Sequence, residues 1–432
     1  MRFRILAALS LVLAAAGCGT GYPPGTIVLR IGNWGGAKEG NDYDKKVAKI
    51  YRDFEKENPG VVLQEENIPD SQDYVSKIAL AYVAKSEPDV VTLDASSAAL
   101  FIDSGIVTDL TPLYKNDPTF HLDDYFPNVV NIARRGDKLY AIPQDFTPMV
   151  VYYNKKLFDK AHVPYPTSNW NFEQFRETAR RLTIPSPDSA KQQFGFAFTN
   201  WVPGWIMWIW NNGGDNLSPD GSKAVGYMDS PKTVAAVAFL EQMVKEGLAP
   251  SISQSAALGV DPFANGQAAM AISGHWSMIG YDAAPKGPDG KPKITWSDLG
   301  VVALPHNTPT SQTVMYEAGY GIGAHCKHRD IAWKFIRYMT SRTVQSIYQQ
   351  SGIAVCARKD VADERAKSST LESEFIPIIA SARPPYGSRV EGYNFVEDQM
   401  QKAMDSIIQD NRDPRAALHR AALAVEREWQ KR

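Results

Sequence analysis

The chain has 432 residues, too many for one compact core, so its length predicts two lobes or domains. It carries 46 Lys and Arg against 48 Asp and Glu, and a net charge of -2 gives no electrostatic footprint for nucleic acid. Ten Trp and 19 Tyr exceed what core packing usually demands, which favours aromatic surfaces on which a ligand stacks.

Residues 1–17 have the pattern of a signal peptide for export. Two arginines precede an apolar run at 5–16, and small residues lead into Cys18. The run is far shorter than the roughly 20 residues that a membrane-spanning helix needs. The junction is similar to the bacterial lipobox, which implies acylation of Cys18, although Ala15 stands where that motif usually has Leu. Ordinary secretion with loss of Cys18 is the alternative. Residues 18–26 then form a short tether.

The first part of the body alternates strands and helices. Hydrophobic patterns predict strands at 27–32, 61–65 and 88–94, with helices at 43–58 and 73–84 between them. This order is typical of an α/β protein with a mainly parallel sheet. Ligands of such sheets lie beyond the carboxyl ends of strands, so a cleft edge is predicted at Trp34, Lys38, Asp94 and Ser96. For Asp94, capping of a helix at 95–102 is an equal alternative.

Two later segments are candidate crossovers between lobes. A strand at 139–143 continues at 149–155 beyond Pro143 and Pro148, and residues 301–305 offer a second crossover. Asp145 and Thr147 lie in the first crossover, where they would bond to ligand hydroxyl groups. A capping or solvent-facing role is the alternative for both.

Residues 200–212 hold four of the ten tryptophans. Trp201, Trp205 and Trp208 share one helix face at spacings of three and four, with Trp210 off it. Trp201 and Trp205 lie near a Pro–Gly helix start, where clefts open, and are predicted to contact ligand. Trp208 and Trp210 are predicted to be core residues. Helices are also predicted at 172–182, 231–245, 330–339 and along the tail from 394, with a strand at 268–273.

Cys326 and Cys356 remain after the leader. An exported chain meets an oxidising environment, so a disulfide between them is predicted, with two free thiols as the alternative. His325 and His328 flank Cys326 but lack a second ligand pair at a zinc-like spacing, so no metal site is expected.

Four short motifs occur in a fixed order along the chain. They are Pro88–Asp89–Val90–Val91, then Ile142–Pro143 with 153–158, then 263–270 with Gly274–His275–Trp276, and last 332–336. In this order the chain resembles the extracellular solute-binding proteins of bacterial ABC importers, specifically the sugar and maltodextrin-binding group. The chain departs from the family at Cys356, where proline is frequent, and at Tyr316–Glu317, where glycines are commoner.

The resemblance implies a fold, a partner and a place. The fold is α/β and periplasmic-binding-protein-like, with two lobes that each hold a mainly parallel sheet flanked by helices and are joined by hinge strands. Lobe 1 would comprise 27–143 and 305–340, and lobe 2 would comprise 144–304 and 341–432. The chain would be a monomer without a cofactor, anchored by lipid outside the cytoplasm, and would deliver a carbohydrate to the membrane permease of an ABC importer.

Site residues follow from the resemblance and from sugar chemistry. Sugar rings present C–H faces, which suit aromatic planes, and hydroxyl edges, which suit carboxylates and amides. Trp276 matches the family position that presents an aromatic ring to a sugar, Tyr386 is a weaker second platform, and Glu317 would accept hydroxyl hydrogen bonds. For Tyr386 and Glu317, a role in ending a helix or facing solvent is the alternative.

Other functions stay open at this point. A glycerol phosphate or a polyamine is the main rival ligand for the same fold. A glycosidase would need two carboxylates, for which Asp94, Asp145 and Glu317 are candidates. The chain lacks the common hydrolase, zincin and phosphate-loop motifs, so catalysis is not expected. A structural envelope lipoprotein would leave the surplus of aromatic residues unexplained.

Overall fold

A computed structural model describes residues 22–33, 42–68, 71–188, 191–258, 261–282, 286–287, 290, 292–350, 352 and 354–431. The predicted signal peptide, Cys18 and the first part of the tether lie outside the described residues, as do Trp34 and Lys38.

The secondary structure alternates along the chain from the first strand to the last pair of helices. The strands are β1 (Ile27–Asn33), β2 (Val61–Asn67), β3 (Val90–Asp94), β4 (Arg134–Arg135), β5 (Lys138–Leu139), β6 (Ile142–Pro148), β7 (Val150–Asn154), β8 (Phe194–Ala197), β9 (Ala268–Ser273), β10 (Leu299–Val302), β11 (Thr313–Ile322), β12 (Val355–Cys356) and β13 (Ala382–Arg383). The helices are α1 (Asp42–Glu57), α2 (Ser71–Val83), α3 (Ala98–Asp103), α4 (Thr111–Lys115), α5 (Pro127–Val130), α6 (Lys155–Ala161), α7 (Phe172–Leu182), α8 (Val202–Asn211), α9 (Pro231–Lys245), α10 (Ile252–Leu258), α11 (Ser277–Asp282), α12 (Arg329–Met339), α13 (Arg342–Gln349), α14 (Lys359–Ser368), α15 (Thr370–Ile379), α16 (Tyr393–Ile408) and α17 (Pro414–Trp429).

The strands form two main sheets. The larger has the order β12-β6-β11-β3-β1-β2, with β13 paired to β11, and the smaller has the order β10-β7-β9-β8. In the larger sheet β1 is parallel to β2 and β3, whereas β11 runs antiparallel to β3 and β6. The chain passes from the larger to the smaller sheet between β6 and β7, and returns between β10 and β11, at the two predicted crossovers. The lobe boundaries stay a prediction.

Local sequence signals explain several element boundaries. Helix α7 begins at a capping box in which the side chains of Asn171 and Gln174 each bond to the other's backbone N–H. Helix α9 has Ser230 as its cap and proline in its first turn, and α17 has the same arrangement with Asp413 as its cap. Both α7 and α9 have their predicted bounds, as does β9. The predicted helical tail is two helices, α16 and α17, with Asn411 in a left-handed conformation between them.

Aromatic residues fill the cores on both sides of the fold. Beneath the larger sheet, Phe54 packs edge-on to Phe335, with ring centroids 5.3 Å apart. Beside the smaller sheet, Trp208 packs edge-on to Phe172 and Phe175, with centroids 5.0 Å away from each. Trp208 and Trp210 are buried, which confirms that they are core residues. Among the described residues, no helix is long and apolar enough to cross a membrane.

The predicted disulfide is wrong, because both cysteines are free and buried. Cys356 lies in β12 opposite Asp145, and Asp145 in turn pairs with Ala318 near the middle of β11. Cys326 follows the end of β11, where the backbone bonds to Asp89 before β3. The two thiols therefore belong to different ends of the sheet. The thiol of Cys356 donates instead to the Gln345 carbonyl oxygen at 3.0 Å, and burial raises the pKa of Cys326 to about 12.

Candidate functional site

Three aromatic side chains meet where the two sheets approach each other. Trp276 stands edge-on to Trp201, with ring centroids 6.5 Å apart, and edge-on to Tyr316, with centroids 6.1 Å apart. Trp201 occupies the N-cap position of α8 without a capping bond from its side chain, and it is 41% exposed, which is unusual for so large an apolar ring. Trp276 and Tyr316 are partly buried. The cluster thus presents apolar ring surface to solvent.

Gly274 explains how Trp276 reaches this position. A Cβ atom at Gly274 would lie 2.4 Å from the indole ring of Trp276, so the ring folds back over the glycine backbone. No other residue leaves room for that close approach. The prediction singled out the Gly–His–Trp sequence for Trp276, and the structure supplies the steric reason for its glycine.

The floor beside the aromatic cluster carries two carboxylates on one sheet face. Ala318 in β11 lies opposite Asp94 in β3 on one side and opposite Asp145 in β6 on the other. Directly opposed residues point to the same face, so Asp94 and Asp145 flank Ala318 on one surface. Tyr316 and its partner Thr147 form the next row of that face.

Asp94 has one oxygen engaged in the turn that leads to α3. Its Oδ1 accepts from the Ser97 N–H at 2.8 Å, from the Ser97 hydroxyl at 2.7 Å and from the Ser96 N–H at 3.1 Å. These bonds hold the turn before α3, whose N-cap position is Ser97, so Asp94 is not the cap of a helix at 95–102. Its hydrogen bonds within the described residues use Oδ1, which leaves Oδ2 for a ligand. Burial raises the pKa of Asp94 despite these bonds.

Glu397 in α16 completes the acidic side of the site, and the sequence prediction missed it. Burial, followed by the charge of Asp94, raises the pKa of Glu397 to about 7. Burial and then the charges of Glu397, Tyr393 and Asp94 raise the pKa of Tyr316. The sequence does contain a signal for Glu397, because polar side chains recur every four residues along one face of α16. This polar stripe consists of Tyr393, Glu397, Gln401 and Asp405.

That stripe also anchors the segment before Trp201. Gln401 donates to the Asn200 carbonyl oxygen at 3.0 Å, and the Asn200 amide donates to Asp405 at 2.7 Å. Glu397 lies one helical turn before Gln401 in α16, so this helix holds Trp201 at the same surface as Glu397.

Asp145 and Thr147 are buried rather than open to the cleft. The Tyr348 hydroxyl donates to Asp145 Oδ2 at 2.6 Å, and burial raises the pKa of Asp145 to about 6 although this bond lowers it. Thr147 Oγ1 accepts from the His275 N–H at 2.6 Å. Thr147 thus connects β6 to the segment that carries Trp276. The side chains of Asp145 and Thr147 therefore both have partners within the protein.

Glu317 does not join the face of Asp94 and Asp145. It lies opposite Phe146 in the ladder, so strand alternation directs its side chain to the buried face of the larger sheet. It is 3% exposed, and its Oε1 has no hydrogen-bond partner among the described residues. Burial and the charges of Asp94 and Asp145 raise its pKa well above the usual range. The prediction that it faces a ligand directly is therefore wrong for this backbone geometry.

Two other predicted ligand contacts are core residues. Trp205 is 0% exposed, and its indole N–H donates to Gln401 at 3.4 Å. Its neighbours Ile206, Trp208 and Ile209 in α8 are buried as well, so this helix lies within the core. Tyr386 is 2% exposed, and its hydroxyl donates to the Leu217 carbonyl oxygen at 3.3 Å. Neither ring is available as a platform.

Ser96 is exposed, and its place at a cleft edge stays a prediction. It lies next to a close contact between two segments of the chain. A Cβ atom at Gly387 would lie 2.6 Å from the Ser96 carbonyl oxygen. Nearby, Arg135 donates to the Ser388 carbonyl oxygen at 2.7 Å and pairs with Asp103 at 3.0 Å. The segment before α16 therefore packs directly against the end of β3, which brings Glu397 close to Asp94.

A separate cavity of about 480 Å³ lies on the larger-sheet side, away from these residues. Its arginines already have partners: Arg337 pairs with Asp117 at 2.6 Å, and Arg358 pairs with Asp124 at 2.8 Å. The aromatic cluster with Asp94 and Glu397 has the chemistry for a ligand with an apolar face and polar edges. Within the described residues, no group of three or more His, Cys, Asp or Glu side chains is arranged to hold a metal ion.

Comparisons with known proteins agree on family and fold. Residues 36–346 match the family described as bacterial extracellular solute-binding protein. The chain is 25% identical over 344 residues to the multiple sugar-binding protein of Streptococcus mutans, covering 73% of each chain. It is 24% identical over 307 residues to the diacetylchitobiose binding protein of Streptomyces coelicolor, covering 70% of this chain and 68% of that one.

A solved structure is similar over nearly the whole molecule. It is an ABC substrate-binding protein from Listeria monocytogenes in complex with cycloalternan. The TM-score is 0.79 at 21% identity, and the match covers 94% of this chain and 99% of that one. The two-lobed α/β fold predicted from the sequence is thereby confirmed.

Proposed function

Because the chain belongs to the family of bacterial extracellular solute-binding proteins, we propose that it captures a mono- or oligosaccharide between two hinged lobes and delivers it to the permease of an ABC importer. Two relatives named for sugar binding support this ligand class. The observation that carries the proposal is the exposed Trp201 beside Trp276 and Tyr316, with Asp94 and Glu397 at their edge. Ring faces would stack on the indoles, and hydroxyl groups would donate to the carboxylates.

Lobe closure is part of the same proposal. Lobe 1 would comprise 27–143 with 305–340, and lobe 2 would comprise 144–304 with 341–432. Asp94 would then approach the ligand from lobe 1, and Trp201, Trp276 and Glu397 would approach it from lobe 2. A sugar would favour the closed state because it contacts both lobes at once, and the permease would recognise that state.

A polyamine is the second candidate, and the acidic character of the site is the specific observation that favours it. Burial and then the negative charge of Asp94 raise the pKa of Glu397. A glycerol phosphate would place more negative charge beside Asp94 and Glu397, so this ligand is disfavoured. Hydrolysis is not proposed, because the family consists of solute-binding proteins.

A thermal-shift panel tests the ligand class. The mature, unlipidated protein is heated with mono- and oligosaccharides, polyamines and glycerol phosphates. A ligand at about 100 times its Kd adds about 2.7 kcal/mol of stability. A sugar-specific shift that becomes smaller in Trp276→Ala and is unchanged in Leu80→Ala, an exposed position on α2, supports the proposal. A shift with polyamines alone would replace the ligand class, and no shift with any sugar would refute the proposal.

We also propose an extracytoplasmic, lipid-anchored monomer. Cys18 would carry the lipid, and residues 18–26 would hold the folded body away from the membrane. Mass spectrometry of protein extracted from membranes should find the lipid on Cys18. Release of Cys18→Ala into the soluble fraction is the expected result, and unchanged membrane retention of that variant would contradict lipid anchoring. Sedimentation of the unlipidated protein at the mass of one chain tests the monomer.

A further inference from the structure

The residue before Trp276 is held from three directions. His275 is completely buried, with Nδ1 2.9 Å from the Gly352 carbonyl oxygen and Nε2 2.8 Å from Glu372 Oε2. Its ring also packs against Phe375, with centroids 4.8 Å apart. A carbonyl oxygen only accepts, so Nδ1 must donate, and a proton lies between Nε2 and Glu372. The imidazole therefore has both nitrogens committed.

Glu372 is the fixed end of this arrangement. It lies in the first turn of α15, where the Ser369 hydroxyl caps the helix. Burial raises the pKa of Glu372, but His275 and Arg365 bring it below its ordinary value, so the carboxylate stays charged. A buried hydrogen bond between charged groups is stronger than a neutral one, so it holds the two side chains more firmly in one orientation.

The backbone on either side of His275 is tied to the hinge strands. The His275 N–H donates to Thr147 at the end of β6, and the Tyr152 hydroxyl in β7 donates to the Gly274 carbonyl oxygen at 3.2 Å. Trp276 follows directly, with its ring folded over Gly274. The plane of the indole is therefore set by the backbone at 274–276, which the His275 contacts hold in place.

We propose that Glu372, acting through His275, is a positioning residue that fixes the plane of Trp276 for stacking against a sugar ring. This inference rests on the proposed function. Glu372 itself does not touch the ligand, because its side chain is only 3% exposed and its carboxylate is already bonded to His275. A purely structural ion pair would stabilise the fold without any special effect on Trp276.

A double-mutant cycle separates these two roles. Glu372→Gln keeps the shape of the side chain but removes its charge, and it is measured alone and in the Trp276→Ala background. The probe is maltotriose, or the panel sugar with the largest thermal shift, titrated by calorimetry below the melting temperature of every variant. We expect Glu372→Gln to weaken binding on the order of tenfold, and by less than twofold once Trp276 is absent.

The chain offers a matched control and a second variant. Glu87 is also buried against a histidine, since its Oε1 lies 2.8 Å from His325 Nδ1, but it lies in the larger-sheet core, away from Trp276. Glu87→Gln should leave sugar affinity unchanged. If Glu372→Gln fails to fold, Thr147→Val removes the acceptor of the His275 N–H and should show the same dependence on Trp276.

Each outcome decides the inference. An equal loss of affinity in both backgrounds, or no loss in either, would overturn the positioning role while leaving sugar binding intact. If no sugar binds at all, the proposed function fails separately, and near-ultraviolet circular dichroism still tests the inference. The signal that disappears in Trp276→Phe should then change in Glu372→Gln and stay the same in Glu87→Gln; an unchanged signal in Glu372→Gln would refute it.

Discussion

The indole of Trp276 stands edge-on to the phenol ring of Tyr316, with ring centroids 6.1 Å apart. Trp276 follows β9 of the smaller sheet, whereas Tyr316 lies in β11 of the larger sheet. The contact therefore joins the two sheets at the proposed binding surface. Any change that turns the Trp276 ring should alter both the surface offered to a ligand and the contact between sheets.

Gly274→Ala should turn that ring. The added Cβ atom would lie 2.4 Å from the indole, so Trp276 must leave its position over the backbone. We expect sugar affinity to fall by tenfold or more, on the order of 1 to 3 kcal/mol of strain and lost stacking. Calorimetric titration measures the loss. Gly280→Ala in α11 is the matched control, because nothing lies within 4 Å of its Cβ position, and equal losses in both variants would contradict the explanation.

Trp201 and Trp205 should separate binding from stability. Trp205 is fully buried, so Trp205→Ala should cost about 3 to 5 kcal/mol of the free energy of unfolding. Trp201 is 41% exposed, so Trp201→Ala should cost less than about 1 kcal/mol of stability and yet weaken sugar binding. Chemical denaturation and titration of both variants check this. A Trp201→Ala variant that binds normally would remove that residue from the site.

Glu397 should make sugar affinity depend on pH near neutrality. Its pKa of about 7 means that the carboxylate, the stronger acceptor for hydroxyl groups, forms between pH 6 and 8. Affinity for a neutral sugar should therefore rise by up to about tenfold over this range. Glu397→Gln should flatten the profile. A pH dependence that persists in this variant would assign the titration to another group.

Strand and helix patterns were predictable from the sequence where one face is buried. Helix α9 has a serine cap and an apolar face, and β9 is apolar from Ala268 to Ile272, so the bounds of both were predicted to the residue. Trp276 was singled out because the Gly–His–Trp sequence resembles the family motif that presents an aromatic ring, and the structure adds the steric role of Gly274. Such local features need no knowledge of the rest of the fold.

The remaining errors depend on contacts between distant parts of the chain. Helix α8 is apolar on all sides, so its sequence could not tell that Trp205 faces inward while Trp201 faces solvent. The sequence alone predicted Glu317 to lie in the cleft. The pairing of Glu317 with Phe146 in the sheet decides which face its side chain occupies. Glu397 was missed because it lies more than 300 residues from Asp94 in sequence, and only the fold brings the two charges together.

The free thiols predict insensitivity to reduction. Cys326 and Cys356 are buried and form no disulfide, so a reducing agent should leave the melting temperature of the mature protein unchanged. A thiol reagent should label both only after unfolding, because burial raises the pKa of each and hides the sulfur. A melting temperature that drops on reduction would show that the thiols pair after all.

Asp145 should destabilise the folded protein at neutral pH. Burial raises its pKa to about 6 in the folded state, above the value near 4 expected when the chain unfolds. The stability that comes from the raised pKa is fully present below about pH 4 and is lost as the pH rises to about 6. Asp145→Asn cannot ionise, and its amide oxygen can still accept from Tyr348. The variant should therefore be more stable than the parent at pH 7, by at most roughly 3 kcal/mol.

The advantage of Asp145→Asn should shrink as the pH falls toward 4, which denaturant titrations at several pH values would show. Asp220 supplies the contrast, because hydrogen bonds from Ser218 and Ser222 lower its pKa to about 2. Asp220→Asn should lose stability above about pH 4, the opposite sign. If Asp145→Asn instead destabilises the protein equally at every pH, the buried charge of Asp145 does not lower the stability. The hydrogen bond from Tyr348 would then determine how Asp145 contributes to the free energy of unfolding.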